Sequence, residues 1–418
     1  MKTKTGKREN LLIFLAWLLY SVSYLGKVNY AANITQIIDF YGVTKAEAGM
    51  ASTFFFFAYG IGQVINGLFC KKYNIKWAVF GSMAASTSVN LIVAMGAEFA
   101  LIKWLWLVNG IALSVLWPTL VRMLAEALPG RALGRSSMVM GTTVGVGTLI
   151  IYGLSAIYAL FDNFQLAFFT AAAADAAVAV LWLLLYRKAT NLAEAERAAD
   201  APEVVRTEAK GAPDRLDAVE HRLIYTAVGF LCLFSVGINL IKDGLTTWVP
   251  SILKETYNFP DALSILLTLF LPISAIFGNV FALWMHKKVP DYIRHSGIVF
   301  AMMGVLIAGL VGFMRLDWAV ALLVGMVVVN YLAAGLNNLN TSIYPMFMRE
   351  KLNSGMIAGV LNGFCYVGST ISAYGLGVVA DNFGWTAVFW VLFGFCVIAV
   401  VAWGIYAMIT RLIKLHTA

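Results

Sequence analysis

Charge is what this sequence has least of. Of its 418 residues only 12% are Asp, Glu, Lys or Arg, and 61% are apolar. A soluble globular chain carries about 25% charged and about 45–50% apolar residues. With half the usual charge, a water-exposed enzyme of two or three domains is excluded, and so is disorder of the bulk of the chain. Cysteine is equally sparse. Cys70, Cys232, Cys365 and Cys396 are scattered and show neither a disulfide framework nor metal-ligand spacing. The four histidines, His221, His286, His295 and His416, all fall in cytoplasmic segments on the span map that follows, so no histidine is expected for an intramembrane proton relay or metal site. No nucleophile–base pair stands out, so neither catalysis, a cofactor nor a metal is expected. The alternating pattern of barrel strands is absent as well.

What is present is a succession of long apolar runs, near 11–37, 47–69, 77–96, 103–128, 136–160 and 165–186, then 223–248, 262–285, 296–314, 317–345, 355–380 and 385–410. Each is long enough to cross a hydrocarbon core of about 30 Å as a helix. The expectation is an all-α polytopic membrane protein of twelve helices: an N-terminal six-helix bundle (1–186), a mixed-charge linker (187–222) and a C-terminal six-helix bundle (223–418). The net charge of +8 resolves on this map into orientation. Nearly all basic residues fall at the termini, in the linker and in alternate loops, against only Lys45, Lys103, Lys254 and Arg315 on the other side. The positive-inside rule then places both termini in the cytoplasm, as expected of an inner-membrane protein. The partners expected are a lipid bilayer and a small anion, not nucleic acid, and the chain is expected to be a monomer.

Three basic residues lie inside spans: Lys27, Arg122 and Lys242. A charge at mid-bilayer costs several kcal/mol, so it faces a cavity or a partner. Lys27 and Lys242 occupy the first and seventh spans, 215 residues apart. The halves echo each other elsewhere: Pro118 and Arg122 recur as Pro345 and Arg349, both offset by 227, and glycine-rich spans follow each pair. Parallel repeats of this kind place a substrate site near mid-membrane. Two lysines and few acids favour an anionic ligand. Tyr20, Tyr24, Asn29, Tyr59, Gln63, Trp117, Trp248, Asn337, Asn338 and Tyr366 are the polar and aromatic residues available to complete the site. Arg122 with Glu126 one turn on, and Asp175 within the stretch Ala171 to Ala177, are read as gating or structural residues.

These residues resemble those of the major facilitator superfamily, and within it the organophosphate:phosphate antiporters that include glycerol-3-phosphate and hexose-phosphate transporters. The resemblance spans nearly the whole chain. Its most specific stretch runs from Lys242-Asp-Gly through Trp248-Val-Pro250 to Lys254-Glu255. It is joined by Tyr24-Leu-Gly-Lys27-Val-Asn29, Tyr59-Gly60, Trp117-Pro118 with Arg122, Gly355-x-x-Ala-Gly359, Tyr366-x-Gly368 and Asp381-x-Phe-Gly-Trp385. In that family two arginines, one per half, hold the phosphate. Lysines stand at both positions here. A lysine is a compact hydrated charge rather than a planar fork, so it suits a carboxylate or sulfonate as well as a phosphate. Other departures are Thr142 or Thr143 where the glycerol-phosphate branch has histidine, Gln63 where it has lysine, and Lys71 where the superfamily's loop signature is acidic.

The resemblance implies a two-bundle major facilitator fold and secondary active transport of a small organic anion by rocker-switch alternating access, foremost a phosphorylated metabolite exchanged for phosphate, with Lys27 and Lys242 binding the anion. The alternatives are a proton- or sodium-coupled carrier of a carboxylate such as a sugar acid, and a transporter-like membrane sensor.

Overall fold

A computed structural model describes residues 6–69, 72–128, 130–199, 218–348 and 354–415. Lys71, Arg349 and the middle of the expected linker (200–217) lie outside them. The regular structure of the described residues is helical: α1 (Gly6–Ser23), α2 (Leu25–Ala32), α3 (Ile34–Tyr41), α4 (Lys45–Phe69), α5 (Ile75–Ala94), α6 (Phe99–Ser114), α7 (Leu116–Ala127), α8 (Gly130–Met140) and α9 (Thr143–Ala159). There follow α10 (Gln165–Ala199), α11 (Ala218–Tyr257), α12 (Asp261–Thr268), α13 (Phe270–Lys288), α14 (Tyr292–Arg315), α15 (Ala319–Asn338), α16 (Tyr344–Phe347) and α17 (Ser354–Leu415), with a π-helical turn, Leu339–Ile343, between α15 and α16.

Eleven stretches among the described residues are long and apolar enough to cross a membrane, and they fall on the expected spans. The last, Met356–Ile413, has 58 residues. Straight, it would extend about 87 Å at 1.5 Å per residue, far more than one crossing needs. It is broken at Gly384 (φ 77°, ψ 174°), a backbone conformation open to glycine and strained for other residues. The first expected span is three helices rather than one. Asn33 accounts for the second interruption: its Nδ2 donates to the Asn29 carbonyl (2.8 Å) and to Ser155 Oγ (2.9 Å), which draws local polar groups away from a regular helical ladder. At the linker, α10 continues to Ala199 and α11 begins at Ala218, so both ends of 187–222 are helical.

The chain forms two compact units. One takes Met1–Asn33 and Ala58–Lys210, the other Ile34–Phe57 and Gly211–Ala418. Segment 34–57 thus belongs with the later half of the chain, and specific bonds hold it there. The Asp381 carboxylate accepts from the backbone N–H groups of Lys45 (3.1 Å) and Ala46 (2.7 Å), capping α4. Lys45 Nζ pairs with Glu255 at 3.1 Å, Trp385 Nε1 donates to the same carboxylate at 3.0 Å, and Lys254 pairs with Asp39 and Asp261.

Within the first unit α1 packs on α9 and α10, and α5 on α10; within the second, α11 packs on α17 and α13 on α15. Both units use a glycine to bring two backbones together. A Cβ on Gly147 would lie 2.2 Å from the Ser21 carbonyl oxygen, and one on Gly368 2.1 Å from that of Val236. Only a bare Cα permits these crossings. Ser21 and Val236 are 215 residues apart, the offset that relates Lys27 to Lys242. The repeat read from sequence is therefore repeated in packing. The cap of α5 by Asn74 Oδ1, which accepts from Lys76 N at 3.0 Å, has its counterpart in the cap of α14 by Asp291 Oδ1, which accepts from Arg294 N at 2.7 Å.

Candidate functional site

In the first unit α2 presents Lys27 to a cluster of aromatic rings. Its Nζ lies 3.8 Å from the centroid of the Tyr59 ring and 4.8 Å from that of Tyr24, and 3.5 Å from the Tyr24 hydroxyl. Rings at this range stabilise an ammonium group without neutralising its charge. Gln63 Nε2 donates to the Tyr59 hydroxyl at 2.9 Å, and the Tyr20 and Tyr59 hydroxyls are 3.4 Å apart. Trp117 of α7 stacks at an angle on Tyr20, centroids 4.9 Å apart. Six residues picked out in the sequence (Tyr20, Tyr24, Lys27, Tyr59, Gln63 and Trp117) thus meet.

Asn29 is not brought to them. Two helical steps, about 200°, separate it from Lys27, and it is fully buried. Its Nδ2 donates to Asn90 Oδ1 at 2.7 Å and its Oδ1 accepts from Tyr30 N at 3.0 Å. It belongs to a polar network inside the unit that also holds Asp175. There Asn109 Nδ2 donates to the Gly26 carbonyl (2.8 Å) and Ser86 Oγ to Asp175 Oδ2 (2.7 Å). Arg122 Nε donates to Glu126 Oε1 at 2.8 Å, one helical turn away.

In the second unit α11 carries Lys242 and Asp243 side by side, with Nζ 3.0 Å from the carboxylate and side chains 25% and 19% exposed. Ser369 of α17 donates to the other oxygen of Asp243. One turn before Asp243, Asn239 Nδ2 donates to Asn337 Oδ1 (3.0 Å), and the buried Cys365 thiol donates to the same oxygen at 3.3 Å. Tyr366 and Asn338 are half-buried on α17 and α15. Lys242, Asp243, Ser369, Asn239, Cys365 and Asn337 form a polar patch among otherwise apolar helices. Sequence inspection passed over Asn239, Cys365 and Ser369 as ligands. The available signal was spacing, since Asn239 and Asp243 are four residues apart and share a helix face. The π-helical turn follows directly on Asn337 and Asn338 and contains the fully buried Asn340; such turns recur at functional positions in helices.

The sequence profile of the Major Facilitator Superfamily matches residues 16–373. The chain belongs to the major facilitator superfamily. It is a multi-pass membrane transporter and not an enzyme. Among its relatives is the "Probable hexose phosphate transport protein" of Chlamydia pneumoniae, 21% identical over 398 residues, which cover 90% of this chain and 86% of that one. Another is "Sugar phosphate exchanger 3" of Bos taurus, 22% identical over 385 residues, 82% of this chain and 76% of that one. Among solved structures, the inward-facing, unoccupied form of a bacterial homolog of the human lysosomal transporter Spinster superposes with a TM-score of 0.74 at 12% identity, covering 97% of this chain and 98% of that one. Superfamily membership gives the lysines a context: in a transporter, a charge retained within a span is one that a ligand or a partner must meet.

Proposed function

We propose that this transporter moves a small organic anion, foremost a phosphorylated metabolite in exchange for phosphate, across the inner membrane by alternating access. In this reading the chain crosses the membrane twelve times as two six-helix bundles, has both termini in the cytoplasm and works as a monomer. Lys27 and Lys242 supply the positive charge. The observation that carries the proposal is one intramembrane lysine per unit, at a spacing repeated in the helix crossings Ser21/Gly147 and Val236/Gly368. The polar and aromatic residues around each lysine supply hydrogen bonds and exclude water, and the names of the relatives support a sugar phosphate as the organic partner.

Counterflow in proteoliposomes tests the reading. Lys27→Ala and Lys242→Ala should each lower exchange at least tenfold, the scale of one lost charged hydrogen bond. Trans-stimulation by internal phosphate is the expected signature. Near-normal exchange in both variants sinks the proposal, and ligand binding without counterflow points to a sensor.

One observation favours a second reading, a carrier of carboxylates coupled to a proton or sodium gradient. Asp243 already sets a carboxylate 3.0 Å from Lys242, so that lysine is placed to accept one. Uptake that follows a pH or sodium gradient and ignores internal phosphate would select it.

A further inference from the structure

The first unit contains a cavity of about 410 Å³ that none of the proposed transport residues around Lys27 lines. It lies where the start of α5, α7 and the later part of α10 converge. Three cations border it from three separate stretches of chain: Lys76, Arg122 and Arg187. Among the described residues the one acid on its wall is Glu126, which Arg122 meets at 2.8 Å. Among the described residues neither Lys76 nor Arg187 is in an ion pair. The described lining therefore carries a net charge of about two, and like charges gathered around a hollow of this size repel unless an anion enters.

The walls are pinned rather than loose. Trp182, fully buried on α10, donates from Nε1 to the Lys76 carbonyl at 3.0 Å. Arg122 Nη1 reaches the Tyr73 carbonyl at 3.5 Å. Asn74 caps the helix start beside the cavity. These bonds tie α10 and α7 to the beginning of α5 and fix the backbone that carries Lys76 and the side chain of Arg122. Trp77 borders the cavity with 60% of its surface exposed, the placement of an aromatic residue at a membrane–water interface.

We propose that this cavity is a binding site for a phosphate ester, distinct from the transport residues around Lys27. Arg187 and Lys76 contact its oxygens, and Arg122 contributes charge from the floor of the site. An anionic phospholipid headgroup and a soluble phosphate share this chemistry. The interfacial Trp77 and the basic loops that place this end toward the cytoplasmic leaflet, where anionic lipids concentrate, favour the lipid.

The test uses the full chain, purified and reconstituted in nanodiscs. In one arm, native mass spectrometry counts phosphatidylglycerol retained against phosphatidylcholine. In the other, inorganic phosphate is titrated into phosphatidylcholine nanodiscs and binding is followed by calorimetry. Each arm compares wild type with Lys76→Gln, Arg187→Gln and the double variant. These positions are partly or fully exposed, so the fold tolerates them; circular dichroism and thermal midpoint check that it has. Selective retention of phosphatidylglycerol, weakened at least tenfold in the double variant, supports the site and assigns it to lipid. Phosphate binding at one extra site, lost in the double variant while binding that depends on Lys27 persists, supports it and assigns it to a solute. No anion preference in either arm, or equal binding by folded wild type and double variant, overturns it.

Discussion

Replacing Asp243 by Asn separates a lysine that awaits an anion from one that is merely structural. The Lys242–Asp243 pair is 3.0 Å long, and its side chains are 25% and 19% exposed. At an effective dielectric near 20 the bare attraction at that separation is about 5.5 kcal/mol. Water at the exposed edges screens it, and desolvation of both groups offsets more, leaving about 1–3 kcal/mol. A substrate anion that takes Lys242 must displace this carboxylate or share the lysine with it. Removing the negative charge while keeping the side-chain shape, and an oxygen that still accepts from Ser369, should therefore tighten anion binding by about 5- to 150-fold. The unliganded protein should unfold more easily, since Lys242 loses its neutralising neighbour, and added anion should raise its thermal midpoint more than it does for wild type.

Titration calorimetry on detergent-solubilised protein measures the affinity, and the half-saturating concentration in counterflow gives an independent reading. Counterflow velocity need not rise, because an anion held too tightly leaves slowly. An Asp243→Asn protein that is folded but binds every tested anion as weakly as wild type, or more weakly, would refute the reasoning: Asp243 would then be part of the site rather than a competitor for its lysine. Lys242→Ala is the control, and in that background Asp243→Asn should have no further effect on affinity, as expected of two residues acting through one contact.

Lys27→Arg should retain exchange where Lys27→Ala is expected to lower it at least tenfold, and should shift preference toward phosphate over carboxylate, because a guanidinium grips two oxygens at once; a competition panel in proteoliposomes reads the shift. Gly147→Ala places a methyl group 2.2 Å from the Ser21 carbonyl oxygen, and should lower stability by about 1–3 kcal/mol. Gly153→Ala on the same helix meets nothing within 4 Å and should leave the thermal midpoint unchanged or slightly raised. Asp381→Ala removes the cap of α4 and a partner of Lys45 and should cost about 1–2 kcal/mol; Asp381→Asn keeps a capping oxygen and should recover about half, as measured by thermal unfolding.

The spans, the repeat and the two lysines were legible because each is written in a property that needs no neighbours: apolar length, an equal offset, a charge where lipid tolerates none. Much of the first unit's cluster was legible for the same reason, since Tyr20, Tyr24 and Lys27 follow the i, i+4, i+7 rhythm of one helix face. That rhythm also sets Asn29 apart from Lys27, although a motif match had joined them. The membership of segment 34–57 in the second unit was not legible. It depends on Asp381 finding the N–H groups of Lys45 and Ala46 more than three hundred residues away, and nothing in either stretch names the other. The basic cavity is hidden similarly: in the sequence Lys76 and Arg187 read as orienting charges at span ends and Arg122 as a gate, and only folding brings them around one hollow.

Asp243 and Asp175 show how burial and pairing divide the work of acids inside the spans. Asp243 stands beside a lysine at the edge of a polar patch, where its charge can be met and exchanged. Asp175 is wholly buried. Its Oδ2 accepts from Ser86, and its Oδ1 has no hydrogen-bond partner among the described residues. No described ion pair includes it. An ionised carboxylate in that setting would carry the full cost of desolvation with one hydroxyl to offset it. The neutral acid needs far less. A Cβ on Gly26 would fall within 2.9 Å of Asp175, Asn90 and Ser86, so the network is packed directly under the backbone beside Lys27. Asp175→Asn keeps size, neutrality and an acceptor for Ser86, and should hold stability within about 1 kcal/mol of wild type with exchange intact. Asp175→Leu strands Ser86 and should cost about 1–3 kcal/mol. An Asn variant that folds as well as wild type but loses exchange would mean that the carboxylate itself takes part in transport, and that the network beneath Lys27 does more than hold it in place.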